Sequence, residues 1–215
     1  MSPWLALLLS FAYVLTVIGI GEGLRRWLRL DPGFTRKFIH IGVGMYSLLA
    51  INLFTERTWA IIPPLAFVII NWLDWRYGVV QAMMSSSRSN LGTVYFPLAF
   101  AAIVWFLWDR PALLVASLMP LTWGDALAAV VGERYGRHTY HILGSTRSLE
   151  GSLTAYGFSA VATGLVLAGF GVPAAVDTAL LTALAATLVE AVSPWGLDNL
   201  TIPAASALVL AWLAG

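Results

Sequence analysis

The sequence predicts an all-α polytopic membrane protein of about seven or eight transmembrane helices, with its N-terminus outside and its polar site at the cytoplasmic face. Three observations predict it. The 215 residues are 59% hydrophobic and 11% charged, with a mean hydropathy of +0.80, whereas a soluble domain carries about 25% charged residues. Apolar runs close to the length of a bilayer crossing recur along the whole chain. Lys and Arg gather in alternate connections between those runs.

Composition also excludes function classes. A net charge of +1 leaves no basic face for nucleic acid. The absence of Cys removes disulfides, thiolate nucleophiles and zinc–thiolate sites. One integral membrane domain over 1–215 is the economical organisation, and the sequence leaves oligomeric state open. The first apolar run lacks a basic leader and a small-residue cleavage site, so it reads as a retained span.

In chain order, the runs lie near 4–20, 39–54, 58–73, 93–108, 111–131, 151–171, 174–192 and 201–214, against the roughly 20 helical residues that a crossing takes. Several are short, so seven spans with one re-entrant piece is the alternative. The connections on one side hold Arg25, Arg26, Arg29, Arg36, Lys37, Arg76, Arg88, Arg134, Arg137 and Arg147, while the other side holds Arg57 and Arg110. The positive-inside rule then puts 21–38, 74–92, 132–150 and 193–200 in the cytoplasm and both termini outside. The expected setting is a bacterial-type inner or plasma membrane. Ser85 to Asn90, SSSRSN, reads as a solvated linker, with a lid over a substrate as the alternative.

The polar residues fall at that inner face. Asp125 lies inside an apolar run, where a carboxylate must be neutralised, paired or bound to a metal. It shares a small-residue stripe with Ala128, Ala129, Gly132 and Gly136, which alone would read as helix packing. The following loop carries Arg134, Arg137, His138, His141, Ser145, Arg147 and Ser148 around Gly136 and Gly144, and re-enters through Glu150 and Gly151. Basic side chains, hydroxyls and pliant backbone suit a polyphosphate, although no phosphate-loop motif is present. A plain positive-inside loop would explain the arginines alone.

Arg36, Lys37 and His40 open another run. Lys37, the chain's single lysine, shares a helical face with His40 and offers a compact charge for phosphate. Glu190 ends one run, and Asp198 and Asn199 open the next, where helix capping is the bland reading. With Asp125 they form an oxygen set that suits magnesium, which takes one or two carboxylates and completes its shell with water and phosphate.

Four segments, RKFIHIGVG (Arg36 to Gly44), GDALAAVVGERYGRH (Gly124 to His138), GSTRSLEGS (Gly144 to Ser152) and LVEAVSPWGLDNLTIP (Leu188 to Pro203), carry a resemblance across most of the chain. In their order it resembles the membrane-embedded lipid-alcohol kinases: phytol kinases, dolichol or polyprenol kinases and CTP-dependent diacylglycerol kinases. Phosphatidate cytidylyltransferases are more distant kin. The resemblance implies transfer of a terminal phosphoryl group, usually from CTP and with a divalent metal such as Mg2+, to a membrane lipid alcohol (phytol, farnesol, geranylgeraniol, a polyprenol or diacylglycerol). It implies that Asp125 is the essential carboxylate, with Lys37 and Glu150 as further catalytic residues. Arg36, His40, Gly132, Arg134, Gly136, Arg137, Ser145, Arg147, Ser148 and Gly151 would hold the nucleotide, and Asp125, Glu190, Asp198 and Asn199 the metal.

Two departures bear on that reading. Arg147 stands where those families often carry Lys, which keeps the charge and changes its phosphate geometry. The Ser-Pro-Lys-Lys-Thr pattern of the cytidylyltransferases is missing, which lowers nucleotidyl transfer as the alternative. A membrane carrier would string polar residues across the bilayer; here they gather at one face.

Overall fold

The computed structural model describes residues 1–78 and 90–214. It is an all-α bundle of apolar helices with one small hairpin. Helix α1 (Pro3–Trp27) starts on Ser2, whose hydroxyl accepts from the Leu5 amide, with Pro3 at its first position, where a missing N–H costs nothing. Helix α2 (Pro32–Leu53) starts on Asp31, whose carboxylate accepts from the Gly33 amide at 2.7 Å. The expected loop at 21–38 is thus mostly helix, and Arg25, Arg26, Arg36 and Lys37 are helical. Asp31-Pro32 is a start signal that precedes the apolar run, so the helix begins before the hydrophobicity does.

Helices α3 (Arg57–Ala60) and α4 (Ile62–Tyr77) follow each other as one span, and α5 (Gly92–Leu107) comes after the next connection. Residues 79–89 of that connection, with Ser85 to Ser89 of the patch read as linker or lid, lie outside the described residues, while its last residue, Asn90, accepts from the Gly92 amide at 2.8 Å.

The centre of the bundle is α6 (Pro111–Met119), continued by a π-helical turn (Pro120–Asp125) and α7 (Ala126–Tyr135). Every residue from Leu113 to Met119 is buried. Leu114, Leu118, Met119 and Leu121 form the core with Val104 and Ile202, while Leu113 packs with Leu167 and Leu210. Helices α2, α5, α8 (Leu149–Gly169) and α10 (Asp198–Ala214) surround this segment, and α9 (Ala175–Val192) packs on α8 and α10. The segment bearing Asp125 is therefore enclosed by neighbours.

Outward faces are apolar, with Leu8, Leu15, Ile69, Phe106, Leu165 and Leu208 exposed, as a hydrocarbon surround requires. Among the described residues, five helices are long and apolar enough to cross a membrane: Pro3–Trp27, Arg57–Tyr77, Pro111–Tyr135, Leu149–Gly169 and Ala175–Val192. Gly92–Leu107 and Asp198–Ala214 are shorter apolar helices. The chain is an all-α polytopic membrane protein.

The connection at 132–150, expected as a loop, is largely ordered secondary structure. Helix α7 runs to Tyr135, and strands β1 (Thr139–Ile142) and β2 (Ser145–Ser148) pair antiparallel with Tyr140 opposite Arg147. Leu143 (φ 47°) and Gly144 (φ 79°) both adopt left-handed backbone, the two-residue turn whose twist matches paired strands. Ser148 then caps α8, its hydroxyl accepting from the Gly151 amide at 3.1 Å.

Candidate active site

Pro120 cannot donate to the helical ladder and crowds the carbonyl one turn back, and the helix widens into a π turn at this point. Such turns recur at functional sites. This one ends on Asp125, whose side chain is 7% exposed and meets Lys37 Nζ at 2.8 Å through Oδ2. The Lys37 side chain is itself only 15% exposed, so each charge has the partner that burial demands. His40, one turn on from Lys37 in α2, donates from Nε2 to the Leu121 carbonyl inside the π turn at 2.8 Å. The same nitrogen lies 3.9 Å from Asp125 Oδ2, and the ring rests on Phe96 at 4.7 Å. Helix α2 thus serves both the carboxylate and the irregular backbone that presents it.

A second cationic centre comes from the hairpin. Arg147 Nη2 donates to Asp198 Oδ2 at 3.1 Å and to the Ser193 carbonyl at 3.3 Å, and Nη1 lies 3.4 Å from Glu190 Oε1. Burial pulls this guanidinium down, and the Glu190 and Asp198 carboxylates more than reverse it, so Arg147 is held above its ordinary value and stays charged. Asp198 Oδ1 accepts from the backbone and side-chain amides of Asn199 at 3.0 and 2.8 Å. The helix start at Asp198 is therefore capped and tied to the hairpin at once.

The two centres share a cavity of about 460 Å³. Of the residues expected from sequence, Arg36, Lys37, His40 and Asp125 line one part of it, and Ser145, Arg147, Asp198 and Asn199 another. Glu190 lies behind Arg147 and does not line it. Gly132, Arg134, Gly136, Arg137, Ser148 and Gly151 are not in its wall either. Gly132 and Gly151 have a packing role: a Cβ on Gly132 would stand 3.5 Å from the Gly151 Cα, so the small stripe brings α7 onto α8. Glu150 turns to His138, with Oε1 2.7 Å from Nδ1, away from the cavity wall.

Sequence reading missed Asn71, which lies in the cavity wall together with Glu133 and Thr146 of the expected nucleotide-binding stretches 132–137 and 145–151. Asn71 had a signal, a lone amide within the apolar run VIINWL, and such a residue inside a span is a functional candidate by default.

No group of three or more His, Cys, Asp or Glu gathers as a metal cage among the described residues. Lys37 lies on Asp125, and Arg147 bridges Glu190 and Asp198. Asp125, Asp198 and Asn199 still supply hard oxygens to a polar cavity, a donor set that fits magnesium, whose remaining ligands are water and phosphate.

Over 97% of its length this chain is 35% identical to the phytol kinase of Synechocystis sp., covering 91% of that protein. It is 24% identical to probable phytol kinase 1, chloroplastic, of Oryza sativa subsp. japonica, over 98% of this chain and 74% of the relative. With the probable phytol kinase, chloroplastic, of Triticum aestivum it shares 25% identity over 98% of this chain and 77% of the relative. No family model matches, and no solved structure matches.

Proposed function

This chain belongs to the phytol kinase family, and on that premise we propose that it transfers the terminal phosphoryl group of CTP to the hydroxyl of an isoprenoid alcohol, phytol foremost. The observation that carries this reading is the convergence of Lys37, Asp125, Arg147 and Asp198 on one cavity at one end of an apolar bundle. A polyphosphate needs such cations, and a lipid alcohol needs a polar site that hydrocarbon can reach.

In this mechanism Arg36, Lys37 and Arg147 neutralise the phosphates, and Arg147 offers planar paired donors. Magnesium, when bound, would be held by Asp198 and Asn199 with the phosphates and would spread the charge of the transferring group. The alcohol oxygen bonds to the terminal phosphorus as the bond to the bridging oxygen breaks, and its electron pair leaves with CDP. Asp125 takes the hydroxyl proton. Its negative charge is then lost, and Lys37 is freed to face the phosphoryl oxygens. Glu190 holds Arg147 in place from behind.

Arg36, Lys37 and Arg147 line the cavity, and basic residues gathered at one end support a cytosolic nucleotide approach. The whole chain serves as a single kinase domain.

The test is a product assay with purified protein in detergent, magnesium and terminally labelled CTP or ATP, across phytol, farnesol, geranylgeraniol, a polyprenol and diacylglycerol. Label in phytyl monophosphate, lost on chelation and restored by magnesium, is the expected result. Formation of lipid-linked CMP from phosphatidate, with no label in any alcohol, would overturn it.

A further inference from the structure

Asn71 in α4 has two polar ends with different fates. Pro97 sits inside α5 and has no N–H to give the carbonyl four residues back, which is that of Thr93. Asn71 Nδ2 donates to this Thr93 carbonyl at 2.8 Å. Because a carbonyl can only accept, the amide orientation is fixed, and Oδ1 is left as an acceptor. That oxygen is buried and without a hydrogen-bond partner among the described residues, in a residue only 8% exposed. A buried acceptor without a donor is costly to keep, which points to a donor that arrives with a ligand.

The position of Asn71 says which ligand. Besides the polar cavity there is a narrow apolar crevice of about 40 Å³ between the α1–α2 and α4–α5 pairs, with Val14, Ile18, Phe67 and Phe100 in its wall. Ile39, Val43, Asn71 and Phe96 line both spaces. Asn71 is the uncharged polar member of that shared wall, where an apolar passage becomes a charged one.

Building on the kinase reading above, we propose that this crevice grips the carbons beside the hydroxyl of the acceptor alcohol, and that Asn71 Oδ1 accepts the hydrogen bond from that hydroxyl. The alcohol oxygen is then held at the mouth of the cavity that contains Asp125. A neutral amide suits this border, since it orients a hydroxyl without bringing a charge into hydrocarbon. The crevice is too small for an entire isoprenoid chain, so the remaining carbons stay in the bilayer. Asn71 is a positioning residue in this scheme, and the proton still passes to Asp125.

The experiment compares wild type with Asn71→Leu, Pro97→Ala and the double variant, all purified in detergent, using phytol and CTP. Pro97→Ala supplies an N–H for the Thr93 carbonyl, so in that background Asn71→Leu loses the Oδ1 acceptor without orphaning Thr93. The expected result in both backgrounds is an about five- to tenfold rise in KM for phytol, with KM for CTP within about twofold. Inhibition by phytyl methyl ether, which has no proton to donate, should be the same in each background with and without Asn71→Leu. The proposal is overturned if the phytol effect vanishes in the Pro97→Ala background, if KM for CTP rises instead, or if ether and alcohol weaken together. Retention of radiolabelled phytol by the same proteins separates the two readings. Wild type that transfers nothing, yet holds phytol in an Asn71-dependent way, would sink the kinase reading and uphold this one.

Discussion

Arg147 Nη2 stands 3.1 Å from Asp198 Oδ2, bridging 51 residues of sequence. Through that contact and those to Glu190 and Ser193, one side chain on a two-stranded hairpin ties the end of α9 to the start of α10. The hairpin has its own supports: the Leu149 amide donates to the His138 carbonyl at 3.0 Å, and the Tyr140 and Ser152 hydroxyls meet at 2.7 Å. It stands as a wall of the cavity, fastened at both strands, in place of the pliant loop that its glycines and arginines suggest.

Removing that guanidinium leaves the Glu190 and Asp198 carboxylates buried without their cation. Arg147→Ala is expected to cost about 3–5 kcal/mol, the usual penalty for breaking one side of a buried ion pair. Arg147→Lys keeps the charge but cannot reach the same spread of acceptors, so it should lose less. Thermal unfolding in detergent, with trypsin cleavage at Arg137 as a second readout, checks this. An Arg147→Ala protein that melts and resists trypsin like wild type would show that the hairpin is held by something else.

Lys37 and Asp125 are coupled, and a double-mutant cycle measures by how much. Asp125→Asn strands a buried ammonium, and Lys37→Met strands a buried carboxylate. The double variant strands neither and should be more stable than the sum of the singles by about 0.5–3 kcal/mol. Activity should behave differently, falling about 10²–10⁴-fold in Asp125→Asn and staying low in the double variant. Recovered stability with recovered activity would remove Asp125 from the chemistry.

His40 is expected to matter through backbone and not through charge. His40→Phe keeps an aromatic ring against Phe96 but leaves the Leu121 carbonyl of the π turn without its donor, at a cost of about 1–3 kcal/mol. His40→Gln offers an amide donor and should recover part of it. Melting temperatures of the two variants settle the order, and Phe above Gln would contradict this account.

The sequence made the helices legible because hydrophobic runs and basic connections both survive in a single chain. What it hid were features decided by neighbours or by local backbone. The early start of α2 was readable at Asp31-Pro32 but was masked by the polar turn that follows. The hairpin was not readable, since its turn places Leu143 at positive φ where Asn or Gly would have signalled it. The π turn leaves no pattern beyond Pro120. Glu150 sits within the GSTRSLEGS segment yet faces His138, because adjacent helical residues point different ways. Lys37, Asp125, Arg147 and Asp198 were legible as polar residues in apolar surroundings, though not which would pair with which.

Gly124 gives a last test of how closely the π turn must sit. A Cβ there would run into Ser159 Oγ and stand 3.0 Å from the Ala155 carbonyl on α8. The hydroxyl could rotate away, but the carbonyl belongs to helix backbone and cannot, so Gly124→Ala must push α8 and the π turn apart. Overpacking of this kind costs about 1–3 kcal/mol. Because Asp125 is the next residue, the same displacement should loosen its 2.8 Å contact with Lys37 and lower activity beyond what the lost stability explains. Ser159→Gly, added to Gly124→Ala, removes the first clash and keeps the second, so it should recover part of the melting temperature. Gly124→Ala with wild-type melting and activity would mean that α8 yields freely, and that the glycine serves no close approach.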